Sequence, residues 1–309
     1  MAASEPAAEA LLSQRDFALR FSLTYSRCPA ILCHGNWSDL KFTFLVRVMS
    51  FHNIFDLTGK HALVTGAGGG LGLAICRGLA EFGADVACLD LTDQIATLAA
   101  QAVCGSGRKA LPVICDVRDP AQINAAVDKS RSAFGQIDIL VNLAGKTTLK
   151  PAVELPLEVW ENAIHIYLRA AFLFCQIVGR DMLERGSGSI INISSVGSVV
   201  ALGRGHAAYA AAKAGLNGLT RELALEWAKK GVRVNAIAPC QIDTPQLRAQ
   251  LRNPQFDKQG LMAAWLEAIP LGRLGKAGEI VGPCVFLASD ASSLITGQIL
   301  MVDGGYTIK

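Results

Sequence analysis

The stretch HALVTGAGGGLGLAICRGLA, residues 61–80, decides the fold, because its hydrophobic period changes across a glycine-rich turn. HALVT is a short, nearly continuous apolar run, which is typical of a strand buried on both faces. The residues after the glycines place apolar side chains at helical spacing. The pattern therefore predicts a strand, a glycine turn and a helix, in that order.

The same alternation continues along the chain. Six more apolar runs, separated by helical or loop segments, are ADVACLD, ALPVICD, IDILVN, GSIINIS, VRVNAIAP and QILMVD. Strands that alternate with helices through right-handed crossovers form a parallel sheet with helices on both faces. We therefore predict a single α/β domain over residues 49–309, with a doubly wound, seven-stranded parallel sheet.

Composition excludes several other classes of protein. The 309 residues are 51% hydrophobic, and the net charge of +3 comes from mixed signs without a basic stripe for nucleic acid. Charges or glycines interrupt every apolar run, so we expect no membrane span. Nine scattered cysteines without a Cys-x-x-Cys pair indicate reduced thiols in a cytoplasmic protein. Five histidines without ligand spacing predict no metal site.

Residues 1–48 differ from the rest of the chain. They contain five Lys/Arg and four Asp/Glu without a clean hydrophobic period. Arginine and serine are typical of a targeting leader, but Glu5, Glu9 and Asp16 oppose that interpretation. MSFHNIFDLTGKHALVTG leads directly from Met49 into the first strand. We expect residues 1–48 to be a disordered extension or the product of a mis-assigned start.

The turn TGAGGGLG after the first strand has the composition of a phosphate-binding loop. Gly66 permits the tight turn, Gly70 lets backbone approach a pyrophosphate, and Gly72 permits close helix packing. The free N–H groups at the start of the helix face phosphate. We predict that Thr65, Leu71 and these three glycines bind a dinucleotide.

Asp90 ends the second strand, where a carboxylate accepts hydrogen bonds from ribose hydroxyls and repels a 2′-phosphate. Residues 91–93 supply no Lys or Arg for that phosphate. NAD is therefore favoured over NADP. The alternative is that Asp90 only caps a helix starting near Thr92.

The next two strands end in further candidate cofactor contacts. Asp116 can accept from an adenine amino group while Val117 packs on the ring; alternatively, Asp116 only starts a helix. The fourth strand ends at Asn142, followed by Ala144 and Gly145. Small residues there let a flat ring lie against backbone, so we predict cofactor contacts at all three.

The fifth strand ends at Ser195, and a helix begins with YAAAK, residues 209–213. Tyr209 and Lys213 share one helix face. A lysine ammonium there lowers the phenol pKa from about 10, so that the tyrosine can exchange a proton with an alcohol as nicotinamide exchanges hydride. Ser195 can hydrogen-bond the same alcohol oxygen of the substrate and orient it. The simpler alternative is that the tyrosine packs and the lysine reaches solvent.

Together these motifs resemble the short-chain dehydrogenase/reductase family over residues 53–309, including VDGG at 302–305. The resemblance implies a Rossmann-type fold. It also implies that Tyr209 is the catalytic acid/base, that Ser195 orients substrate, and that Lys213 binds ribose and lowers the tyrosine pKa.

The resemblance further places Pro239, Ile242 and Thr244 in a loop that closes over nicotinamide. Three positions depart from the family pattern, and the first is Leu143, where the family usually has a second asparagine. Cys240 replaces a glycine and is expected to alter the pocket or confer thiol sensitivity. Tyr167 replaces an asparagine that holds a proton-relay water, which predicts slower turnover, a rerouted relay or lost activity.

Substrate choice is expected in a mobile lid at about residues 240–275, especially the variable stretch 246–275 with Met262 and Trp265. The candidate polar pocket residues are Lys146, Arg204, His206, Gln241 and Arg248. The C-terminal half is similar to family members that act on sugars, sugar acids and polyols. Two alternatives are a 3-oxoacyl thioester reductase, which ordinarily prefers NADPH, and a cofactor-binding protein without turnover. Broad apolar faces at 157–180 and 207–229 predict a homotetramer or homodimer.

Overall fold

Seven parallel strands form the central sheet in the computed structural model, which describes residues 53–146, 148–252 and 257–308. The sheet order is β3-β2-β1-β4-β5-β6-β9, and β7 and β8 form a separate parallel pair. The strands are β1 (His61–Thr65), β2 (Asp85–Asp90), β3 (Ala110–Ile114), β4 (Ile139–Asn142), β5 (Gly188–Ile193), β6 (Val232–Pro239), β7 (Ile242–Asp243), β8 (Gly275–Lys276) and β9 (Ile299–Val302). The predicted sheet is confirmed, whereas the predictions for residues 1–48 lie outside the described residues.

Helices follow most strands and cover both faces of the sheet. They are α1 (Gly70–Glu81), α2 (Asp93–Cys104), α3 (Pro120–Phe134), α4 (Leu157–Ile164), α5 (Ala170–Arg185), α6 (Ala207–Trp227), α7 (Pro245–Leu251), α8 (Lys258–Ala268) and α9 (Val281–Ala288). A π-helical turn, His165–Arg169, joins α4 to α5. Short 3-10 turns occupy Ala152–Glu154, Val196–Ser198, Ala228–Lys230, Ala277–Ile280, Asp290–Ser292 and Tyr306–Ile308.

The core has two layers because successive strand side chains point to opposite faces of the sheet. Val64 and Ile191 belong to the layer under α1, α2 and α9. Leu63 and Ile190 belong to the layer under α3, α5 and α6. Strands with both faces covered need apolar side chains at nearly every position, which explains their continuous apolar runs.

Local signals set several helix boundaries. The Asp119 carboxylate accepts from the Ala121 N–H at 2.8 Å, and Pro120 follows as the first helical residue of α3. Gly186 ends α5 in a left-handed conformation at φ 76°. By contrast, the Gly69 position before α1 provides no side-chain cap, which leaves the first N–H groups of that helix available.

The helix that runs through α4, the π turn and α5 corrects one expectation about composition. Residues Leu157–Arg185 are long and apolar enough to cross a membrane by length and composition. However, Phe174, Val178 and Met182 of α5 are buried in the layer against the sheet. These side chains are apolar because they cover the core.

We expect Leu79→Ala on α1 to lower the free energy of unfolding by about 2–5 kcal/mol, since this fully buried side chain would leave a cavity. Leu98→Ala on α2, where the side chain is 50% exposed, is the matched control and should cost about 1 kcal/mol or less. Denaturant unfolding followed by circular dichroism measures both values. Equal losses would contradict the burial assigned to α1.

Candidate active site

The predicted site residues converge at the carboxyl edge of the sheet, because all seven strands are parallel. The glycine turn after β1, the end of β4, Ser195 after β5 and Pro239 of β6 lie along this edge. Loops at this edge enclose a cavity of about 360 Å³. Predicted site residues in its lining are Leu71, Gly145, Tyr167, Ser195, Tyr209, Lys213, Pro239, Ile242 and Thr244.

The glycine turn is built by close backbone approaches. Gly66 has φ 69°, and a Cβ on it would lie 2.9 Å from the Ala144 Cα. A Cβ on Gly72 would collide with the Gly66 carbonyl oxygen, and one on Gly70 would lie 2.8 Å from the Pro245 Cδ. Side chains are therefore excluded from this surface. Together with the uncapped start of α1, this geometry suits a phosphate group.

Asp90 reaches back to the glycine turn. Its carboxylate accepts from the Gly68 N–H at 3.0 Å and from the Leu91 N–H at 2.8 Å. Thr92, and not Asp90, caps α2, since the Thr92 hydroxyl accepts from the Ile95 N–H at 3.4 Å. The alternative of a simple helix cap is therefore wrong. Asp90 places negative charge beside the turn.

Asp116 and Val117 follow β3 at the same edge. The Asp116 carboxylate accepts from the Arg118 Nε at 2.9 Å, and this bond, followed by the Arg118 backbone N–H, lowers the Asp116 pKa. Val117 lies with Ala144 and Tyr167 around a small hollow. The structure thus leaves Asp116 ionised at neutral pH, and it places Val117 among the predicted site residues.

Thr65 and Asn142 are used inside the protein. The Thr65 hydroxyl accepts from the Leu143 N–H at 3.0 Å and the Ala144 N–H at 3.1 Å. The Asn142 amide donates to the Asn192 side-chain oxygen at 2.9 Å. Both side chains were predicted as cofactor contacts. In the structure their polar groups hold the ends of β1, β4 and β5 together.

Ser195, Tyr209 and Lys213 meet in the cavity. Ser195 precedes a 3-10 turn, and its hydroxyl accepts from the Gly197 N–H at 3.1 Å. Lys213 is only 4% exposed, and its Nζ donates to the Ile193 carbonyl at 2.6 Å. The Lys213 Nζ lies 5.9 Å from the centre of the Tyr209 ring. The simpler alternative, a lysine that reaches solvent, is therefore wrong.

The electrostatics of this cluster correct one expectation. Burial lowers the Lys213 pKa to about 7, because desolvation disfavours the ammonium. Burial raises the Tyr209 pKa, and its hydrogen bond with Ser195 only partly opposes this. The lysine was predicted to lower the tyrosine pKa, but desolvation dominates at both groups. Anything that keeps Lys213 protonated will therefore favour the Tyr209 phenolate.

Tyr167 occupies the space between these groups and the end of β4. It is 5% exposed, and its ring meets the Tyr209 ring edge-on with 5.2 Å between centres. The Lys213 Nζ lies 4.5 Å from the centre of the Tyr167 ring. A Cβ on Gly145 would overlap the same ring. The residue predicted to disrupt a relay thus contacts the lysine directly.

The predicted polar pocket residues separate into two groups. Arg204, His206 and Gln241 line the cavity, and Arg204 has an unusual φ of 55°. Arg248 instead forms an ion pair with Asp243, with 2.7 Å between Nε and the carboxylate. Lys146 is exposed and does not line the cavity. The last two predictions are therefore corrected, because Arg248 is paired with Asp243 and Lys146 is exposed outside the cavity lining.

The lid prediction identified Trp265 but omitted several neighbours. Trp265 lines the cavity, whereas Met262 does not. Further lining residues that sequence reasoning did not single out are Leu149, Leu202, Gln246, Leu247, Gln250, Leu261, Ala264, Ala268 and Tyr306. The helical spacing of Gln246 and Gln250 would have suggested a shared face. Nothing in the sequence indicated which face of α7 points inward.

Cys240 lines the cavity without becoming a reactive thiol. Burial, followed by the charge of Asp303, raises its pKa to about 11, so the thiol remains protonated at neutral pH. The raised pKa makes the thiolate scarce at neutral pH, so thiol sensitivity and an altered pocket both stay predictions. The seven described cysteines are free. Within residues 53–146, 148–252 and 257–308, no cluster of three or more His, Cys, Asp or Glu suits a metal ion.

Comparisons with known proteins agree with this architecture. A family model described as enoyl-(acyl carrier protein) reductase matches residues 66–307. D-threitol dehydrogenase of Mycolicibacterium smegmatis is 44% identical over 82% of this chain and 95% of its own length. NAD-dependent glycerol dehydrogenase of Listeria innocua is 39% identical over 84% of this chain and 98% of its own length.

Structural similarity extends to a gluconate 5-dehydrogenase from Burkholderia cenocepacia, solved in complex with NADP and tartrate. It superposes with a TM-score of 0.77 at 37% identity, covering 83% of this chain and 98% of that chain. The matched length, the sheet order and the converging Ser195, Tyr209 and Lys213 lead to one conclusion. The chain belongs to the short-chain dehydrogenase/reductase family of NAD(P)-dependent oxidoreductases.

Proposed function

We propose that the protein is an NAD-dependent oxidoreductase that interconverts a secondary alcohol and a ketone on a sugar, sugar acid or polyol. The observation that carries this proposal is the meeting of Ser195, Tyr209 and Lys213 in one cavity with the loop after β6. Named relatives that act on threitol, glycerol and gluconate support the substrate class.

The residues at the carboxyl edge fit a dinucleotide. The glycine turn excludes side chains where a pyrophosphate needs close backbone approach, and α1 begins without a side-chain cap. Asp90 would accept hydrogen bonds from the adenosine ribose, while Val117 and Gly145 would contact the rings. Ile242 and Thr244 would bound the nicotinamide end. When bound, the nicotinamide supplies hydride acceptor or donor chemistry.

The chain's own residues would supply the proton chemistry and the orientation of substrate. Tyr209 would accept the hydroxyl proton of an alcohol or return one to a ketone. Ser195 would hydrogen-bond the same oxygen and fix its distance from the phenol. Lys213, when protonated, would stabilise the phenolate electrostatically, and its buried setting makes that charge effective.

The wall chemistry of the cavity favours a polyhydroxylated substrate. Gln246, Gln250 and Gln241 present amides that can donate to and accept from hydroxyl groups. Arg204 offers a cation for a carboxylate, and the described residues that line this cavity include no Asp or Glu. We propose that residues 240–275 act as a lid over this substrate.

The outer faces of α5 and α6 support a proposal about the oligomeric state. Phe172 is 40% exposed and Leu225 is 80% exposed. Phe172 also lines a shallow hollow with Leu223 and Trp227. We propose that a second copy of the chain covers this surface in a cytoplasmic homotetramer or homodimer. Light scattering after size-exclusion chromatography should give a molar mass of two or four times the 32.7 kDa of one chain. The mass of a monomer would contradict the proposal.

The direct test of function is nicotinamide absorbance at 340 nm with residues 49–309, NAD and NADP in parallel. The substrate panel should contain matched pairs of polyols and aldonic acids, together with simple alcohols. A 3-oxoacyl thioester is tested with NADH and NADPH, because its ketone has to be reduced. Turnover of a polyol or aldonate with NAD is expected. Reduction of the thioester alone, with NADPH, would favour the reductase alternative. Cofactor binding without turnover would favour a protein that binds nicotinamide but does no chemistry.

We predict that Tyr209→Phe lowers kcat at least about 100-fold, because it removes the group that exchanges the proton. NAD binding, measured by isothermal titration calorimetry, should persist. Tyr306→Phe is the control, since it removes another phenol hydroxyl from the same cavity and should keep most of the activity. Equal activity of Tyr209→Phe and the wild type would refute the acid–base assignment.

We predict that Asp90→Asn lowers the preference for NAD over NADP, measured as the ratio of kcat/KM values, by about tenfold, which corresponds to about 1.4 kcal/mol. The amide oxygen can still accept the Gly68 N–H, whereas the Leu91 N–H loses its acceptor, so the change removes the charge that repels a 2′-phosphate together with one local hydrogen bond. Asp128→Asn, at a side chain 68% exposed on α3, controls for net charge. An unchanged ratio in Asp90→Asn would show that another residue selects the cofactor.

A further inference from the structure

The face of the Tyr167 ring is directed at a buried cation. The Lys213 Nζ lies 4.5 Å from the centre of this ring, within the roughly 6 Å over which an aromatic face attracts an ammonium. The Tyr209 ring is farther away, at 5.9 Å from the same nitrogen. Tyr167 is therefore the nearer aromatic neighbour of the lysine charge.

Backbone geometry fixes Tyr167 in this position. Tyr167 is the middle residue of the π turn His165–Arg169, which interrupts the regular helix between α4 and α5. Single π turns inside α-helices occur frequently at functional sites. The ring also packs against Gly145, where any Cβ would overlap it. The ring thus contacts both a glycine backbone and the lysine.

The surroundings of Lys213 make the ring energetically significant. The Ile193 carbonyl of β5 accepts a hydrogen bond from the Lys213 Nζ at 2.6 Å, and Ser195 follows that strand. From its own helix it faces the Tyr209 phenol, while His206 lies beyond, 6.1 Å from the Tyr209 ring centre. Desolvation is the cause that lowers the Lys213 pKa, without a compensating carboxylate. Among the described residues, the Lys213 ammonium thus contacts the Ile193 carbonyl and two aromatic rings, of which Tyr167 is the nearer.

We propose that Tyr167 is a positioning residue whose aromatic face holds the Lys213 ammonium beside Tyr209. This role rests on the proposed function for its catalytic consequence, but the cation–ring contact itself does not. The ring attracts the protonated lysine and has little effect on the neutral amine. Tyr167 therefore maintains the positive charge of Lys213, which stabilises the Tyr209 phenolate. A tyrosine in place of the family's asparagine at position 167 is thus compatible with turnover.

The sign of the pH effect follows from this arrangement. Weakening the ring's negative face lowers the Lys213 pKa, because the charged form loses its partner. A neutral lysine no longer stabilises the phenolate, so the Tyr209 pKa rises. The ascending limb of kcat/KM for alcohol oxidation then moves to higher pH. A purely structural role for Tyr167 would lower the rate without moving this limb.

The decisive experiment replaces Tyr167 with phenylalanine and with its mono-, di- and trifluorinated analogues. Fluorination withdraws charge from the ring face with little change of shape. The Lys213 pKa is read by NMR titration of protein labelled with ¹³Cε-lysine, without substrate, and Lys213→Met assigns the signal. We expect the pKa to fall stepwise with fluorination, by about one unit for the trifluorinated ring. The same analogues at Phe172, on the exposed face of α5, should not move it.

Two substitutions extend the test to activity. Tyr167→Phe keeps the ring and should keep the pH profile, whereas Tyr167→Leu should shift the ascending limb upward by about one unit. A Lys213 pKa that is independent of fluorination would overturn the proposal. It would also be overturned if Tyr167→Phe shifted the limb as far as Tyr167→Leu, since the hydroxyl would then be responsible. Absence of wild-type turnover would refute the proposed function but leave the NMR result valid.

Discussion

The Thr65 hydroxyl connects two strand ends on which the site depends. It accepts hydrogen bonds from the backbone N–H groups of Leu143 and Ala144, and these bonds fix the segment after β4 against the glycine turn after β1. The close approach of Gly66 to Ala144 follows from that connection. A neighbouring pair, Asn142 with Asn192, continues the alignment to β5. The crevice at the carboxyl edge is therefore built by hydrogen bonds within the sheet before any ligand contributes.

Much of this architecture could be predicted from local sequence. Apolar runs identify parallel strands because burial on both faces leaves no room for alternation, and a glycine turn between strand and helix identifies the phosphate surface. Tyr209 and Lys213 were predictable because helix geometry alone puts them on one face. Asp90 was predictable as the last residue of its strand. Each of these inferences depends only on residues close together in the chain.

Other features depend on contacts between distant segments and could not be predicted in the same way. Arg248 was predicted to contact substrate, but in the structure its guanidinium forms an ion pair with Asp243. The raised pKa of Tyr209 follows from desolvation in the folded protein, which periodicity does not reveal. Tyr167 was recognised as a departure, but its contact with Lys213 depends on a π turn. The sign of its effect therefore required the three-dimensional arrangement.

The packing of Tyr167 on Gly145 also restricts how this pair of positions can change during evolution. A larger residue at 145 is incompatible with the ring, so it can be accepted only after position 167 has become smaller. A smaller residue at 167 first removes the aromatic neighbour of Lys213 and opens a void beside it. The order of substitutions therefore matters. Relatives with an aromatic residue at the position of Tyr167 should retain glycine at the position of Gly145.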